Sequence, residues 1–299
     1  MKRTAAHPAA RDSIACGLAW ISPWLIGFAV FVAVPIVLSG ALSFCEFDGI
    51  RRPVFIGLEH WRGLFADPLV WKVLRNTAVY AALALPIGTG LGVALALLLN
   101  QPIPGQTLWR SIVFAPSLLP LVAVGIIWTW MFNARFGLIN SALGLVGISG
   151  PTWLNDASWA MPSVVILGLW SIGHTVVVYL AGLQDVPREL YEASHLDGAG
   201  PWSRLWHVTL PMISPAMFFN IVIGLIFVWQ IFAAPYVMFP GGGPERNAYF
   251  YTMYVYDQAF AYRRFGYACA LSWVQLAIIL ALTAVAFRSS RHWVHYRGA

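Results

Sequence analysis

A few polar and aromatic side chains interrupt the long apolar runs of this sequence, and they are the residues best suited to contact a solute. Trp170 and His174 are four residues apart, so a helix would place both on one face. Aromatic faces pack against the apolar surface of a small molecule, and imidazole or amide groups hydrogen-bond its polar groups. Packing between helices would explain each residue equally well. The candidates for a solute pathway are Trp170, His174, Asn220, Trp229, Gln230 and Gln275.

Residues for catalysis or for a resident metal do not form a recognisable set. The sequence has no paired acids, no nucleophile with a base at suitable spacing, and no metal-like spacing of Cys16, Cys45 and Cys269. A phosphate-binding loop requires a lysine after glycine, and neither Lys2 nor Lys72 follows one. We therefore expect no catalytic residue, no metal site, no bound cofactor and no ATPase motif, and we expect that the chain is not an enzyme.

The composition is that of a membrane protein. Hydrophobic residues make up 59% of the chain and charged residues 10%, with a mean hydropathy of +0.70. A soluble domain has roughly 25% charged residues, so this much apolar surface requires lipid as the solvent. The net charge of +6 comes from scattered basic residues rather than a run or stripe, which argues against a nucleic-acid partner.

The charge-free stretches predict an all-α integral membrane protein with about six spans, because about 20 apolar residues cross a bilayer. The stretch 136–155 is excluded because its glycines and Gly150-Pro151 would break a helix in hydrocarbon, and we expect a loop with a short helix near Leu138–Val146. The chain is read as one transmembrane domain over 1–299. Lys and Arg divide evenly between the two sides, so charge does not set the orientation. The predicted spans are 16–42, 76–99, 109–131, 159–182, 213–239 and 266–287.

The loop 183–211 between spans four and five is predicted to form two short helices. Pro187 suits the start of the first, which runs from Arg188 to Leu196, and Asp197-Gly198 suits a left-handed cap at its end. Trp202, Leu205, Trp206 and Thr209 form one stripe of the second helix, which Leu210-Pro211 is expected to close. An ordinary interfacial hairpin with tryptophan anchors would have the same pattern.

The residues of this loop resemble those of a known family. Glu192-Ala193-Ser194, Asp197-Gly198-Ala199 and Leu210-Pro211 closely resemble the EAA loop of the membrane subunits of bacterial ABC importers. Ser194 replaces the second alanine of that pattern and Leu205 replaces an aromatic residue. Outside the loop, Phe55–Trp61, Trp128–Asn133 with Gly137–Asn140, Pro240–Pro244, Tyr256–Phe260 and Phe265–Ala268 are similar to the carbohydrate-uptake subfamily, of the type of the first permease in sugar or glycerol-phosphate systems.

The resemblance implies a type I ABC importer transmembrane fold with a cytoplasmic coupling-helix pair between spans four and five. It implies a second, homologous permease, two copies of a cytoplasmic ATPase subunit that bind ATP and Mg²⁺, and an extracytoplasmic solute-binding protein. It also implies an inner-membrane location with both termini cytoplasmic, and a sugar or glycerol phosphate as the solute. Trp202 and Leu205 would hold the second helix against the bundle, and Gly198 would set the bend. The implied coupling residues are Glu189, Glu192, Ala193, Ser194, Asp197, Gly198, Ala199, Trp202, Leu205 and Pro211.

Two other functions stay open at the level of the sequence. A secondary, ion-coupled transporter usually carries buried acids, and no Asp, Glu or Lys falls within a predicted span, which favours the ABC permease. A scaffold subunit without a pathway of its own is the other alternative. Arg263 and Arg264 are expected to solvate an outer loop, although docking of a binding protein would also use such a pair.

Overall fold

The computed structural model of the chain describes the backbone of residues 9–295 and the side chains of residues 16–295. The predicted cytoplasmic termini, residues 1–8 and 296–299, lie outside this range. The α-helices are α1 (Ala9–Phe28), α2 (Val34–Leu42), α3 (Glu59–Ala66), α4 (Pro68–Leu99), α5 (Gln106–Phe114), α6 (Leu121–Met131), α7 (Leu138–Leu145), α8 (Ala157–Trp170), α9 (Gly173–Gln184), α10 (Arg188–Leu196), α11 (Pro201–Arg204), α12 (Leu210–Trp229), α13 (Ala233–Met238), α14 (Tyr251–Tyr256) and α15 (Phe265–Ser290).

Short irregular elements complete the secondary structure. Wide π turns occupy Ala29–Ala33, Leu205–Thr209 and Asp257–Ala261, and 3₁₀ turns occupy Ala115–Leu118, Pro240–Gly242 and Pro244–Arg246. Strands β1 (Cys45–Glu46) and β2 (Val54–Phe55) form an antiparallel hairpin in which Cys45 pairs with Phe55. The hairpin is a small addition to a fold that is otherwise helical, as predicted.

The number of spans depends on how bent helices are counted. Within the described residues, 4 helices are long and apolar enough to cross a membrane, or up to 6 if each bent pair is one span. Those four are Cys16–Leu42, Pro68–Leu99, Pro201–Met238 and Phe265–Ser290. The bent pairs are Gln106–Leu118 with Leu121–Met131 and Ala157–Trp170 with Gly173–Gln184. The prediction of about six spans is therefore confirmed. The stretch 136–155 forms a loop with the short helix α7, also as predicted.

Several helices differ in length or shape from the predicted spans. The helix that contains predicted span two begins at Pro68, eight residues before residue 76. The Asp67 side chain accepts the Leu69 N–H at 2.8 Å. This bond caps the helix before the charged Lys72. Spans three and four are not straight: they bend by 102° and 47°. The first of these bends falls at Leu119-Pro120, where proline removes a backbone donor.

Pro211 does not close the second loop helix. The helical run continues from Pro201 to Trp229, so α11, the π turn and α12 form one long element. The π turn Leu205–Thr209 ends two residues before Pro211, and its wider hydrogen-bonding pattern tolerates a residue that lacks an N–H. The loop therefore leads without interruption into span five.

The described chain divides into two compact units. One holds the chain up to Ala66 together with Gln258–Trp273, and the other holds Asp67–Asp257 and the chain from Val274. In the second unit, α4, α9 and α12 pack against one another around Ala96, Val176, Tyr179 and Ile213. A side chain at Gly92 would lie 3.1 Å from Tyr179, so glycine permits the close approach of α4 and α9.

Candidate solute pathway and coupling surface

Three interruptions of helices line one cavity in the second unit. The cavity has a volume of about 560 Å³ and is lined by residues near the bend at Leu119, the bend at Ser171 and the break after Gln230. Its walls are mostly apolar and aromatic, with a few polar side chains. Volumes of roughly 300–1,000 Å³ and apolar walls with a few polar groups are typical of small-molecule sites. Broken helices at membrane depth are also where transporters place their solutes, because irregular backbone is tolerated there only in protein or water-filled cavities.

Two of the six predicted pathway residues line this cavity. His174 is exposed at the second position of α9, with its ring 5.1 Å from that of Phe114 in an edge-to-face arrangement. Gln230 stands at the break between α12 and α13. Both side chains can offer hydrogen-bonding groups at the wall of an otherwise apolar space.

Asn220 lines a second, smaller cavity of about 130 Å³. Its amide donates to the Thr175 carbonyl at 3.4 Å, and Tyr179 and Thr89 lie in the same wall. Tyr80 lines both cavities. The smaller cavity therefore adjoins the larger one at the Tyr80 side chain.

The other three predicted residues are occupied by helix packing. Gln275 donates to the Trp229 carbonyl at 2.6 Å and to the Thr252 hydroxyl at 2.9 Å, and Trp229 itself is buried. Trp170 contacts Trp128 with ring centroids 5.7 Å apart. None of Trp170, Trp229 and Gln275 lines either cavity within the described chain.

The structure adds polar residues that the sequence analysis omitted. Tyr80 lines both cavities, and the Ser171 hydroxyl in the larger one is buried and has no hydrogen-bond partner among residues 16–295. The sequence contains a signal that could have identified Ser171. Ser171 and Gly173 lie close together in an apolar run, and this pair favours a break in the helix. Tyr80 carried no comparable signal, since a tyrosine in a span is also an ordinary packing residue.

The loop after α9 forms the predicted helix α10, and Gly198 ends it. Gly198 has a φ of +75°, its N–H donates to the His195 carbonyl at 3.1 Å, and the Ala199 N–H donates to the Ser194 carbonyl at 2.9 Å. These two bonds are those of a Schellman motif, which requires the left-handed conformation that glycine adopts most easily. The predicted left-handed cap at Gly198 is confirmed.

Helix α10 and the π turn are joined to each other and to the bundle. The Tyr191 and Thr209 hydroxyls are 3.1 Å apart and share a hydrogen bond. Tyr191 also packs against the cluster around Leu183 and Ile213 at the ends of α9 and α12. A displacement of α10 would therefore act directly on the helices that surround the cavities.

The outer side of this segment exposes large apolar side chains. Leu196 is 88% exposed and Trp202 is 74% exposed, while Glu189 and Glu192 lie on the same exposed helix α10. The expectation that Trp202 holds the second helix against the bundle is wrong, because most of this residue is exposed. Leu205 is half-buried. Exposed apolar groups beside acidic ones are typical of a protein interaction site. We call residues 188–206 the coupling surface.

The remaining residues of the predicted coupling set fall in or next to this segment. Ala193 is exposed on α10, and the Ser194 hydroxyl donates to the Tyr191 carbonyl at 2.8 Å. Asp197 is the C-cap of α10, Ala199 follows Gly198, and Pro211 lies in the first turn of α12.

Comparison with known proteins assigns the fold and the family. A family model for the binding-protein-dependent transport system inner membrane component matches residues 88–295. The chain belongs to this family. It is therefore a multi-pass permease subunit of an ABC importer, and not an enzyme.

Relatives of the permease span nearly its whole length. The probable ABC transporter permease protein YesP of Bacillus subtilis is 34% identical over 96% of this chain and 93% of its own. The sulfoquinovosyl glycerol transport system permease protein SmoG of Agrobacterium fabrum is 34% identical over 91% of this chain and 89% of its own. The lactose transport system permease protein LacF of Rhizobium radiobacter is 31% identical over 92% of this chain and 94% of its own.

A solved structure shares the fold of the permease. A bacterial alginate ABC transporter, determined in complex with an alginate pentasaccharide-bound periplasmic protein, aligns over 94% of this chain and 95% of its own with a TM-score of 0.81 at 23% identity. The predicted type I importer fold is thereby confirmed.

Arg263 and Arg264 line a polar pocket of about 280 Å³ in the first unit of the permease. The Arg264 guanidinium lies 4.7 Å from the ring centre of Tyr267. This is a cation–π contact, so Arg264 does more than solvate a loop. In the same pocket, the backbone N–H groups of Arg51 and Ile50 donate to Asp48 and hold the pKa of its carboxyl below the usual value. Among the described residues, no cluster of three or more His, Cys, Asp or Glu could hold a metal ion.

Proposed function

We propose that this permease passes a sugar or a related solute across the inner membrane, from an outer binding protein to the cytoplasm. The 560 Å³ cavity between the broken helices carries the proposal, because it offers apolar and aromatic walls with His174, Gln230 and Tyr80 as hydrogen-bonding groups. A sugar ring presents an apolar C–H surface and several hydroxyls, which such a lining suits. Relatives named for uptake of sulfoquinovosyl glycerol, lactose and diacetylchitobiose support the same class of solute.

Energy for import comes from other subunits in this proposal. Two copies of a cytoplasmic ATPase subunit bind ATP and Mg²⁺, and one of them receives the coupling surface in a cleft. The exposed Leu196 and Trp202 would fill apolar parts of that cleft, and Glu192 would accept a charge-assisted hydrogen bond from it. Glu189, Ala193, Ser194, Asp197 and Ala199 would line the remaining contact, with Leu205 and Pro211 at its junction with span five.

The bond between Tyr191 and Thr209 supports a mechanical role for the coupling surface. Closure of the ATPase dimer on ATP would move α10, and the bond and the packing of Tyr191 would pass that movement to α9 and α12. Those helices carry His174 and Asn220 at the cavity walls. The movement would thus change which side of the membrane the cavity faces.

The same proposal assigns the orientation and the other partners. The coupling surface faces the cytoplasm, so that both termini are cytoplasmic in a chain with six spans. A second, homologous permease completes the pathway, and the chain forms a single transmembrane domain over residues 1–299. An extracytoplasmic binding protein delivers the solute to the outer face.

Uptake by the complete importer tests this function. The four kinds of subunit are reconstituted in proteoliposomes, and uptake of labelled lactose and other oligosaccharides is measured with and without ATP. We expect Glu192→Ala to leave the complex assembled and to abolish uptake while ATP hydrolysis persists. Glu59→Ala, which removes an exposed acid from a different segment, serves as the control and should behave as wild type.

Two results would contradict the proposal. Normal ATP-driven uptake in Glu192→Ala would remove the coupling role of this residue. Uptake that follows an ion gradient and proceeds without the ATPase subunits would instead support a secondary transporter.

A further inference from the structure

A groove between α5 and α9 contains a charged side chain with an unsatisfied buried nitrogen. The groove has a volume of about 260 Å³ and apolar walls that include Val113, Val177, Leu180 and Ala181. Arg110 lies at one end of it. The Arg110 Nη2 donates to the Leu99 carbonyl at 3.3 Å, but its Nε is buried and has no hydrogen-bond partner among residues 16–295.

An arginine in such a position favours the binding of an anion. Burial of a guanidinium nitrogen without a partner is costly, and the guanidinium geometry suits the oxygen atoms of a phosphate. The groove lining contains no acidic side chain among the described residues, so its own walls do not supply the missing charge. The ligand must therefore bring a negative charge to one end and apolar groups to the rest.

The position of Arg110 is that of a lipid headgroup. It lies in the second turn of α5, near the end of the span, and Gln184 at the end of α9 lines the same groove. The neighbouring Leu108, Trp109 and Ile112 are all at least half exposed, as expected for a helix that faces lipid with an interfacial tryptophan. Basic pockets between helices near a membrane surface are known to hold anionic headgroups.

The charge distribution of the groove suits an amphiphilic ligand. A positive charge at one end of an apolar groove complements an anionic headgroup that carries an apolar chain. The groove has a volume of about 260 Å³, and a flexible acyl chain can follow apolar walls of this kind. We infer that this groove binds one anionic phospholipid, with its phosphate at Arg110 and an acyl chain along Val113, Val177 and Ala181.

Lipid retention by the complete importer tests the inference. The purified complex is equilibrated with equal amounts of phosphatidylglycerol and phosphatidylcholine in detergent, and the lipids that remain bound are counted by native mass spectrometry. Arg110→Gln should lower the preference for phosphatidylglycerol about tenfold, because it removes one charge-assisted hydrogen bond. Arg110→Lys should retain most of the preference, and Arg52→Gln, at an exposed arginine of an outer loop, should be unchanged.

A second pair of variants tests the acyl chain independently of the charge. Val177→Trp fills the groove and should displace the lipid, whereas Leu108→Trp adds the same bulk on the lipid-exposed side of α5 and should not. Free glycerol phosphate should not compete with the phospholipid, since it lacks the acyl chain.

Three results would overturn the inference. An unchanged lipid preference in Arg110→Gln would remove the role of the charge. Displacement of the bound lipid by glycerol phosphate alone would assign the site to a free phosphate group. Efficient crosslinking of Val177→Cys to the second permease subunit would assign the groove to a protein interface.

Discussion

The bend of the coupling surface depends on one backbone conformation, which a substitution at Gly198 tests directly. Gly198 has a φ of +75°, and a Cβ placed there would meet no atom within 4 Å. Gly198→Ala therefore adds no steric clash with other parts of the chain. Its only structural cost is the left-handed backbone, roughly 1–2 kcal/mol for a residue with a Cβ.

This cost corresponds to a decrease of about 5- to 30-fold in the equilibrium constant for the bent form over the unbent form. If the ATPase cleft accepts only the bent form, ATP-driven uptake at limiting ATPase should fall by up to this factor. Gly198→Asn should lie between wild type and Gly198→Ala, because asparagine tolerates the left-handed region better than alanine. Abundance of the permease in the membrane should not change, since the spans are untouched.

A glycine two residues away provides a matched control. Gly200 also has no atom within 4 Å of a built Cβ, but its φ of −69° and ψ of 169° suit any residue. Gly200→Ala should therefore retain normal uptake in the same proteoliposome assay. Equal uptake by Gly198→Ala and Gly200→Ala would refute the reasoning, as would an order in which asparagine is worse than alanine.

Two further pairs of variants test the solute pathway and the packing of the helices. Gln275→Leu removes the hydrogen bonds to the Trp229 carbonyl and the Thr252 hydroxyl. The free energy of unfolding of the purified permease should therefore fall by about 1 kcal/mol, which is measured as a lower thermal midpoint. Gln230→Leu should leave the thermal midpoint unchanged and raise KM for uptake. The reverse pattern would contradict the assignment. Gly92→Leu should destabilise the contact of α4 with α9 by roughly 1–3 kcal/mol and lower the yield of folded permease. Gly90 is exposed, so Gly90→Leu should leave the yield unchanged. Equal yields of the two variants would contradict this contact.

The coupling segment shows where local reasoning succeeds and where it fails. Helix α10 and its cap at Gly198 were predicted from a handful of adjacent residues, because a Schellman motif is formed entirely within one turn of the chain. The end of the second helix at Pro211 was predicted by the same reasoning and was wrong. A π turn ahead of the proline allowed the helix to continue into span five, and the propensity of Pro211 alone did not reveal that alternative.

The candidate pathway depended more strongly on tertiary structure. The sequence proposed six polar or aromatic residues, and only His174 and Gln230 line the larger cavity. Gln275 belongs to the same chemical class as Gln230, yet its amide is bonded to the Trp229 carbonyl. Residue type alone does not distinguish the two, because the difference lies in which backbone groups the neighbouring helices present.

The sequence by itself determined the membrane class, the approximate spans and helix α10 with its cap at Gly198. Lipid imposes a strong local constraint, since every stretch of about 20 residues that crosses the bilayer must be apolar and internally hydrogen-bonded. The tertiary structure decided that the breaks near Leu119, Ser171 and Gln230 meet at one cavity, and that Arg110 has a nitrogen without a partner among the described residues of its groove. Both features depend on residues far apart in the chain, whose approach is set by helix packing rather than by local composition.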